Sequence, residues 1–151
     1  GIGFVAVFQM VQYSVRSIDV SGERTKATYI AGTIVEDIFA FKNQETSSKT
    51  FVDLLKDNEW KSEKCEEKDA HTFNNATAYE NKIAKWNSRV SKNYLKCVDG
   101  TKDKKNLKVF LMCHSGCPVT KNQSHDKIYA GRMEINMQSG TKKKYLYFQI
   151  K

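Results

Sequence analysis

The stretch Thr77-Ala-Tyr-Glu-Asn-Lys-Ile-Ala-Lys-Trp-Asn-Ser-Arg-Val-Ser-Lys-Asn-Tyr94 carries the clearest structural signal in the chain. Threonine followed three residues later by glutamate is a capping box, in which the two side chains satisfy backbone N–H groups at a helix start. Large apolar residues then recur at helical spacing on one face: Tyr79, Ile83, Trp86, Val90 and Tyr94. The pattern predicts an amphipathic helix over residues 77–95 that packs on a sheet.

The segments before this helix predict strands and one short helix. Residues 3–41 are rich in β-branched and aromatic side chains, which are typical of strands. Ser21-Gly22 would form the turn of a hairpin within that region. Thr50-Phe-Val-Asp53 is a second capping box and predicts a short helix over residues 51–59.

After the long helix, alternating and β-branched patterns predict strands over residues 107–112, 127–137 and 143–150. The last two would form a hairpin around Gln138-Ser-Gly-Thr141. We therefore predict a single α+β domain over residues 1–151. It would be a mostly antiparallel sheet packed against one long amphipathic helix and one short helix, stapled by disulfides.

Composition places the chain among globular proteins. It has 151 residues, of which 40% are hydrophobic and 11% aromatic, whereas disordered chains are poor in both classes. The first eleven residues are apolar, but a bilayer span takes about twenty residues. They also lack the basic residues that open a signal peptide. We expect them to form a buried strand, with a cleaved signal peptide upstream and no membrane span.

The four cysteines, Cys65, Cys97, Cys113 and Cys117, indicate a disulfide-bonded, secreted protein. Asn75-Ala-Thr77 and Asn122-Gln-Ser124 fit the acceptor pattern for N-glycosylation, a modification of the same pathway. Four cysteines allow three pairings. Because a helix over residues 77–95 would be about 27 Å long, we favour Cys97 bonding to Cys113 or Cys117, with Cys65 taking the other.

Metal binding and catalysis have weaker signals. Cys113-His114-Ser-Gly-Cys117 could bind zinc with His71 or His125, but the other two cysteines are isolated, so disulfides are preferred and no metal is predicted. Acid–base chemistry could use a histidine with Arg132 and Glu134 or Glu36. No glycine-rich phosphate loop is present, so no cofactor is expected. The weak catalytic candidates are His114, His125, Glu134 and Arg132.

Excess positive charge favours an acidic partner. The formal net charge is +8. Lysine is concentrated in two turns, one with Lys102, Lys104 and Lys105 and the other with Lys142, Lys143 and Lys144. Tyrosine follows the second turn directly, and lysine beside an aromatic ring suits nucleic acid. The possible polyanion-binding residues are Lys102, Lys104, Lys105, Lys142, Lys143, Lys144 and Tyr145.

Parts of the chain resemble the ribonuclease-like secreted effectors of plant-pathogenic fungi. The resembling segments are Tyr79-Glu-Asn-Lys-Ile-Ala84, Arg132-Met-Glu-Ile-Asn-Met-Gln-Ser-Gly140 and Tyr145-Leu-Tyr-Phe-Gln-Ile150. The resemblance implies a helix against an antiparallel sheet with disulfides. Active fungal ribonucleases of this fold carry glutamate, arginine and histidine on successive strands. Glu134 is followed by neither partner, so the resemblance implies a non-catalytic protein.

These observations favour a secreted, non-enzymatic protein that binds a host or partner macromolecule, such as a ribonuclease-like virulence effector. One alternative is a secreted basic ribonuclease that uses a histidine with Glu134 and Arg132. Another is a basic module that binds RNA or sulfated glycan without catalysis.

Overall fold

The computed structural model describes residues 2–46, 48–62, 65, 77–90, 94–112 and 128–151. Within them it contains the helices α1 Ile2–Phe41, α2 Phe51–Asp57 and α3 Ala78–Arg89. The strands are β1 Glu45–Thr46, β2 Lys49–Thr50, β3 Trp60–Ser62, β4 Lys105–Leu111, β5 Tyr129–Met137 and β6 Lys142–Ile150. Every strand pair is antiparallel, which confirms the predicted α+β class.

Four of the strands form one sheet in the order β3-β4-β5-β6, and β1 pairs only with β2. The predicted C-terminal hairpin is confirmed, because β5 and β6 pair from Tyr129 opposite Ile150 to Met137 opposite Lys142. Gln138, Ser139 and Gly140 all have positive φ in the turn between these strands. That left-handed backbone lets a short connection reverse the chain.

The strands predicted within residues 3–41 are wrong, because this region is the single helix α1. Its buried apolar residues are Ala27, Ile30, Ala31, Ile34 and Ile38, which recur at helical rather than alternating spacing. They pack against the sheet, and that packing outweighs the strand preference of the β-branched residues around them. Ser21-Gly22 lies inside the helix and forms no turn.

Both predicted helix starts are confirmed. Thr77 and Glu80 form a complete capping box at the start of α3, and the Thr50 hydroxyl accepts a hydrogen bond from the Asp53 backbone N–H at the start of α2. The α3 helix ends at Arg89, six residues before the predicted end at residue 95. Trp86 is buried on the predicted face, but Tyr94 lies beyond the helix and is exposed.

The sheet has a core face and an outer face. On the core face, Leu107, Met133 and Leu146 align across β4, β5 and β6 and join one cluster with residues of all three helices. On the outer face, Lys108, Arg132 and Tyr147 align in the same way. Residues at alternate positions of each strand therefore belong to opposite sides of the sheet.

Candidate binding surfaces

The described catalytic candidates lie on different sides of the sheet. Arg132 and Glu134 point to its outer face from alternate positions of β5. Glu36 belongs to α1, which packs on the core face, so it cannot join them. His71, His114 and His125 lie outside the described residues. The part of the chain that the structure describes thus brings only Arg132 and Glu134 together.

The described disulfide corrects the favoured pairing, because Cys65 bonds to Cys97. The expected obstacle was a 27 Å helix between them, but α3 has 12 residues and is about 18 Å long. The chain between the two cysteines therefore contains a shorter helix than predicted. Cys113 and Cys117 lie outside the described residues, as do the acceptor sites Asn75 and Asn122. Among the residues described, no cluster of three metal-ligating side chains occurs.

One predicted polyanion-binding residue, Lys105, is buried with 1% of its surface exposed. It is the first residue of β4 and lies on the core face, in register with Ile135. Its Nζ lies 3.7 Å from the Sγ of Cys97. Burial lowers the pKa of Lys105, although the nearby Asp103 carboxylate opposes the shift. Lys105 therefore cannot meet a polyanion, and its assignment to that surface is wrong.

The two lysine-rich turns meet at one end of the sheet, and Asp103 joins them. This buried carboxylate accepts hydrogen bonds from the backbone N–H groups of Val98 and Asp99 in the first turn. It also accepts one from Gly140 N–H in the second turn, at 3.1 Å. Lys102 and Lys142 consequently lie on neighbouring turns, although forty residues separate them in sequence.

A groove of about 400 Å³ lies between α1 and this end of the β5–β6 hairpin. We call it the basic groove. From α1 it is lined by Tyr13, Arg16, Ser17, Val20, Ser21 and Arg24, and from the hairpin by Gln138 and Lys142. Of the predicted polyanion-binding residues, only Lys142 contributes to it. Sequence reasoning missed the two arginines because it placed them on strands instead of one helix.

A second surface is the N-terminal part of α1. Every residue from 5 to 15 is exposed, and none of them is charged. We call these residues the apolar segment. It exposes seven large apolar side chains, from Val11 at 54% to Tyr13 at 77%. They are Val5, Val7, Phe8, Met10, Val11, Tyr13 and Val15. The sequence showed this apolar run, but we expected it to be a buried strand.

The outer face of the sheet provides a third surface. The rings of Tyr145 and Tyr147 stack with their centroids 6.4 Å apart, and both are exposed. Lys143 is exposed two residues earlier on the same face of β6, whereas Lys142 and Lys144 are half-buried on the other. The predicted lysine cluster is therefore divided between two faces of one strand.

Known proteins provide no further guide to these surfaces. No family model, curated protein or solved structure matches the chain. Among the described helices, none is both long and apolar enough to cross a membrane.

Proposed function

We propose that this chain is a non-enzymatic binding protein that associates with further copies of itself through the apolar segment. The observation that carries the proposal is the exposure of seven large apolar side chains on one uncharged stretch of helix. Monomeric proteins in water rarely expose contiguous apolar surfaces of this kind, which mark sites of interaction. Residues 27–38 of α1 are held on the sheet by a buried apolar stripe, and the apolar segment lies farther along the same helix.

The apolar side chains surround the helix and do not form one stripe. Successive residues of an α-helix are rotated by about 100°, so Val7, Phe8 and Tyr13 point in directions about 100° to 140° apart. All three are exposed. A helix that is apolar on every side is typically enclosed by its neighbours. One partner on one side would leave the other sides in water.

The surface area of the apolar segment also favours several neighbours over one. Eleven residues of helix are about 16 Å long and about 10 Å across, which gives a lateral surface on the order of 500 Å². One partner lying along one side would cover only part of this surface, whereas several neighbours could cover all of it. We therefore propose an assembly of more than two chains with these helices at its centre.

Further copies of the chain are the partner that this surface fits best. Most oligomers of soluble proteins are formed by identical chains. The apolar segment contains no charged residue, so an identical helix from another copy offers it a matching apolar surface and brings no unpaired charge into the contact.

The assembly is tested with three substitutions in the apolar segment of the full chain, Val7→Gln, Phe8→Gln and Met10→Gln. Glutamine keeps a good helix propensity and removes apolar surface. Light scattering during size-exclusion chromatography should show more than two chains for the unmodified protein and one chain for the triple variant. Circular dichroism checks that α1 is retained.

A matched control replaces three exposed apolar residues elsewhere, Val98→Gln, Phe110→Gln and Tyr147→Gln. It should assemble like the unmodified protein. A monomeric unmodified chain at micromolar concentration, or equal effects of the two triple variants, would refute assembly through the apolar segment.

We place the protein outside the cell or in another oxidising compartment. The Cys65–Cys97 disulfide supports this, since such bonds persist mainly there. Secretion with glycans on Asn75 and Asn122 extends the same proposal. Mass spectrometry of the protein from its natural source, before and after enzymatic removal of N-glycans, tests it. Unmodified asparagines at both positions would contradict the glycan part.

Action on a host macromolecule, as in the ribonuclease-like effectors, is supported only by the sequence resemblance. The alternative, a ribonuclease, is supported by the position of Arg132 and Glu134 on one face of β5. Incubation with RNA separates the two, using Glu134→Gln and His114→Ala variants. Cleavage that disappears in these variants would favour the enzyme over the binding protein.

A further inference from the structure

The basic groove contains cationic side chains without a carboxylate to neutralise them. Arg16, Arg24 and Lys142 line it, and no acidic residue does so in the described part of the chain. Nor does any of the three form an ion pair with a described residue. Like charges that share a cleft repel one another, so an anion bound between them would reduce this repulsion.

The carboxylates of residues near the groove form contacts with groups outside it. Asp19 pairs with Lys96 at 3.3 Å. Glu23 accepts hydrogen bonds from the Lys96 backbone N–H and from Lys26 Nζ. Asp103, beneath the hairpin turn, is occupied by the backbone N–H groups of both lysine-rich turns. Asp19, Glu23 and Asp103 therefore contact other groups, and no described carboxylate lines the groove.

The lining residues are of the types that bind an oxyanion. Arg16 and Arg24 are eight residues apart on α1, which places them about 12 Å apart along the helix axis and about 80° apart around it. The hydroxyls of Ser17 and Ser21 line the groove between them, and Gln138 and Lys142 face them from the hairpin. Guanidinium groups bind phosphate with two parallel hydrogen bonds, and hydroxyl and amide groups add further donors.

The groove has the volume of a site for a ligand of nucleotide size, since such sites occupy about 300 to 1,000 Å³. Tyr13 lines the groove and exposes its ring, which could stack on a base. Sulfate esters share the negative charge of phosphate, but sulfated glycans offer no base to stack. Among anions, a phosphate ester attached to a base matches both the cations and the aromatic ring.

We infer that the basic groove is a binding site for phosphate esters of nucleotides, held by Arg16, Arg24 and Lys142. The three cations lie outside residues 5–15, and among the lining residues only Tyr13 also belongs to the apolar segment. The ligand could be a free nucleotide or a phosphate within a single-stranded nucleic acid. The two sources share their chemistry at the groove, and the choice of probe distinguishes them.

The test measures binding of adenosine monophosphate and of a labelled single-stranded RNA oligonucleotide to the full chain at low salt. The double variant Arg16→Gln/Arg24→Gln should weaken binding of the preferred probe by about tenfold or more. The single change Lys142→Gln should weaken it by about threefold. Tighter binding of the oligonucleotide identifies nucleic acid as the source, and equal binding of the mononucleotide identifies a free nucleotide.

Lys143→Gln is the matched control, because it removes the same charge from the next residue, on the opposite face of β6. It should change binding by less than about twofold. The inference is overturned if Lys143→Gln weakens binding as much as Lys142→Gln, since the attraction would then be diffuse. It is also overturned if neither phosphate probe binds, or if only a heparin fragment does. Circular dichroism and the assembly assay verify that each variant keeps its fold and its association state.

Discussion

Asp37 of α1 accepts a hydrogen bond from the indole Nε1 of Trp86 of α3, at 3.1 Å. The same carboxylate contacts the Nζ of Lys82 at 2.7 Å and that of Lys85 at 3.1 Å. One side chain of α1 thus joins three positions of α3, and only 13% of it is exposed. This contact fixes α1 against α3, beside the sheet.

We expect Asp37→Ala to destabilise the fold by about 2 kcal/mol, since it leaves the buried indole N–H of Trp86 without its acceptor. Urea unfolding measures the loss of free energy. The control is Asp57→Ala, which removes an exposed pair with Lys49 and should cost clearly less than Asp37→Ala does. Equal costs in the two variants would show that Asp37 behaves as a surface ion pair.

Asp37 should also make stability depend on acidity. Burial favours its neutral form, but hydrogen bonds from Lys82, Trp86 and Lys85 outweigh burial and hold the pKa of Asp37 below its ordinary value. The unfolded chain therefore binds this proton first as pH falls. The stabilisation is complete above about pH 4 and is lost as pH falls through the lower, folded pKa. Asp37→Asn should flatten the pH dependence of the free energy of unfolding below about pH 4. An unchanged acid dependence would contradict this role.

The sequence predicted those parts of the fold that have a local chemical signature. The Thr77–Glu80 capping box and the turn at residues 138–141 depend on residues close together in the chain, and both were located correctly. The α1 helix was missed because Val, Ile, Thr and Phe favour strands in isolation, whereas its helical form depends on packing across the sheet. The stripe Ala27, Ile30, Ala31, Ile34 and Ile38 was visible and should have outweighed the propensity.

The candidate sites also divide into residues with a local signal in the sequence and residues that only the fold brings together. Lys142 was identified from its neighbours in sequence, but its partners Arg16 and Arg24 are more than a hundred residues away and meet it only through the fold. The burial of Lys105 could not be predicted, because Lys104, which is only half-buried, directly precedes β4 and Lys105 is its first residue. A shift of one residue in strand register would have exchanged them.

Lys105 should be a source of instability at neutral pH. Because burial lowers its pKa, the unfolded chain binds the proton more tightly than the folded chain does. Stability should therefore rise with pH between the folded pKa and the ordinary value near 10.4. We expect Lys105→Met to raise the free energy of unfolding at pH 7 by about 1 kcal/mol and to remove that rise.

Lys104→Met is the control, because its side chain is only half-buried and its replacement should change stability by less than about 0.5 kcal/mol. Urea unfolding at several pH values, without reducing agent, compares the two variants. A large loss of stability in Lys105→Met would show that its charge has a structural partner.

The Cys65–Cys97 disulfide should contribute strongly to stability. It closes a loop with a sequence separation of 32 residues, for which the chain-entropy model gives about 3 to 4 kcal/mol. The double variant Cys65→Ala/Cys97→Ala should lose about that much in urea unfolding. Peptide mapping without reduction tests the pairing itself. A peptide linking Cys97 to Cys113 or Cys117 would contradict the structure.

Gly131 has no room for a side chain. It lies opposite Phe148 in the β5–β6 pairing, and a Cβ at this position would be 2.1 Å from the phenyl Cζ. Phe148 also packs edge-to-face on Phe39 of α1, which limits its movement. We expect Gly131→Ala to destabilise the fold by about 1 to 3 kcal/mol in thermal or urea unfolding.

Gly22→Ala is the matched control, since nothing in the described structure lies within 4 Å of its added Cβ. It sits inside α1 and should stabilise the helix by about 0.5 to 1 kcal/mol. A double-mutant cycle with Phe148→Leu then locates the cause of the Gly131→Ala loss. If the ring is the obstacle, Gly131→Ala should cost less in the Phe148→Leu background than in the unmodified chain. Additive losses would instead assign the cost to the backbone of β5.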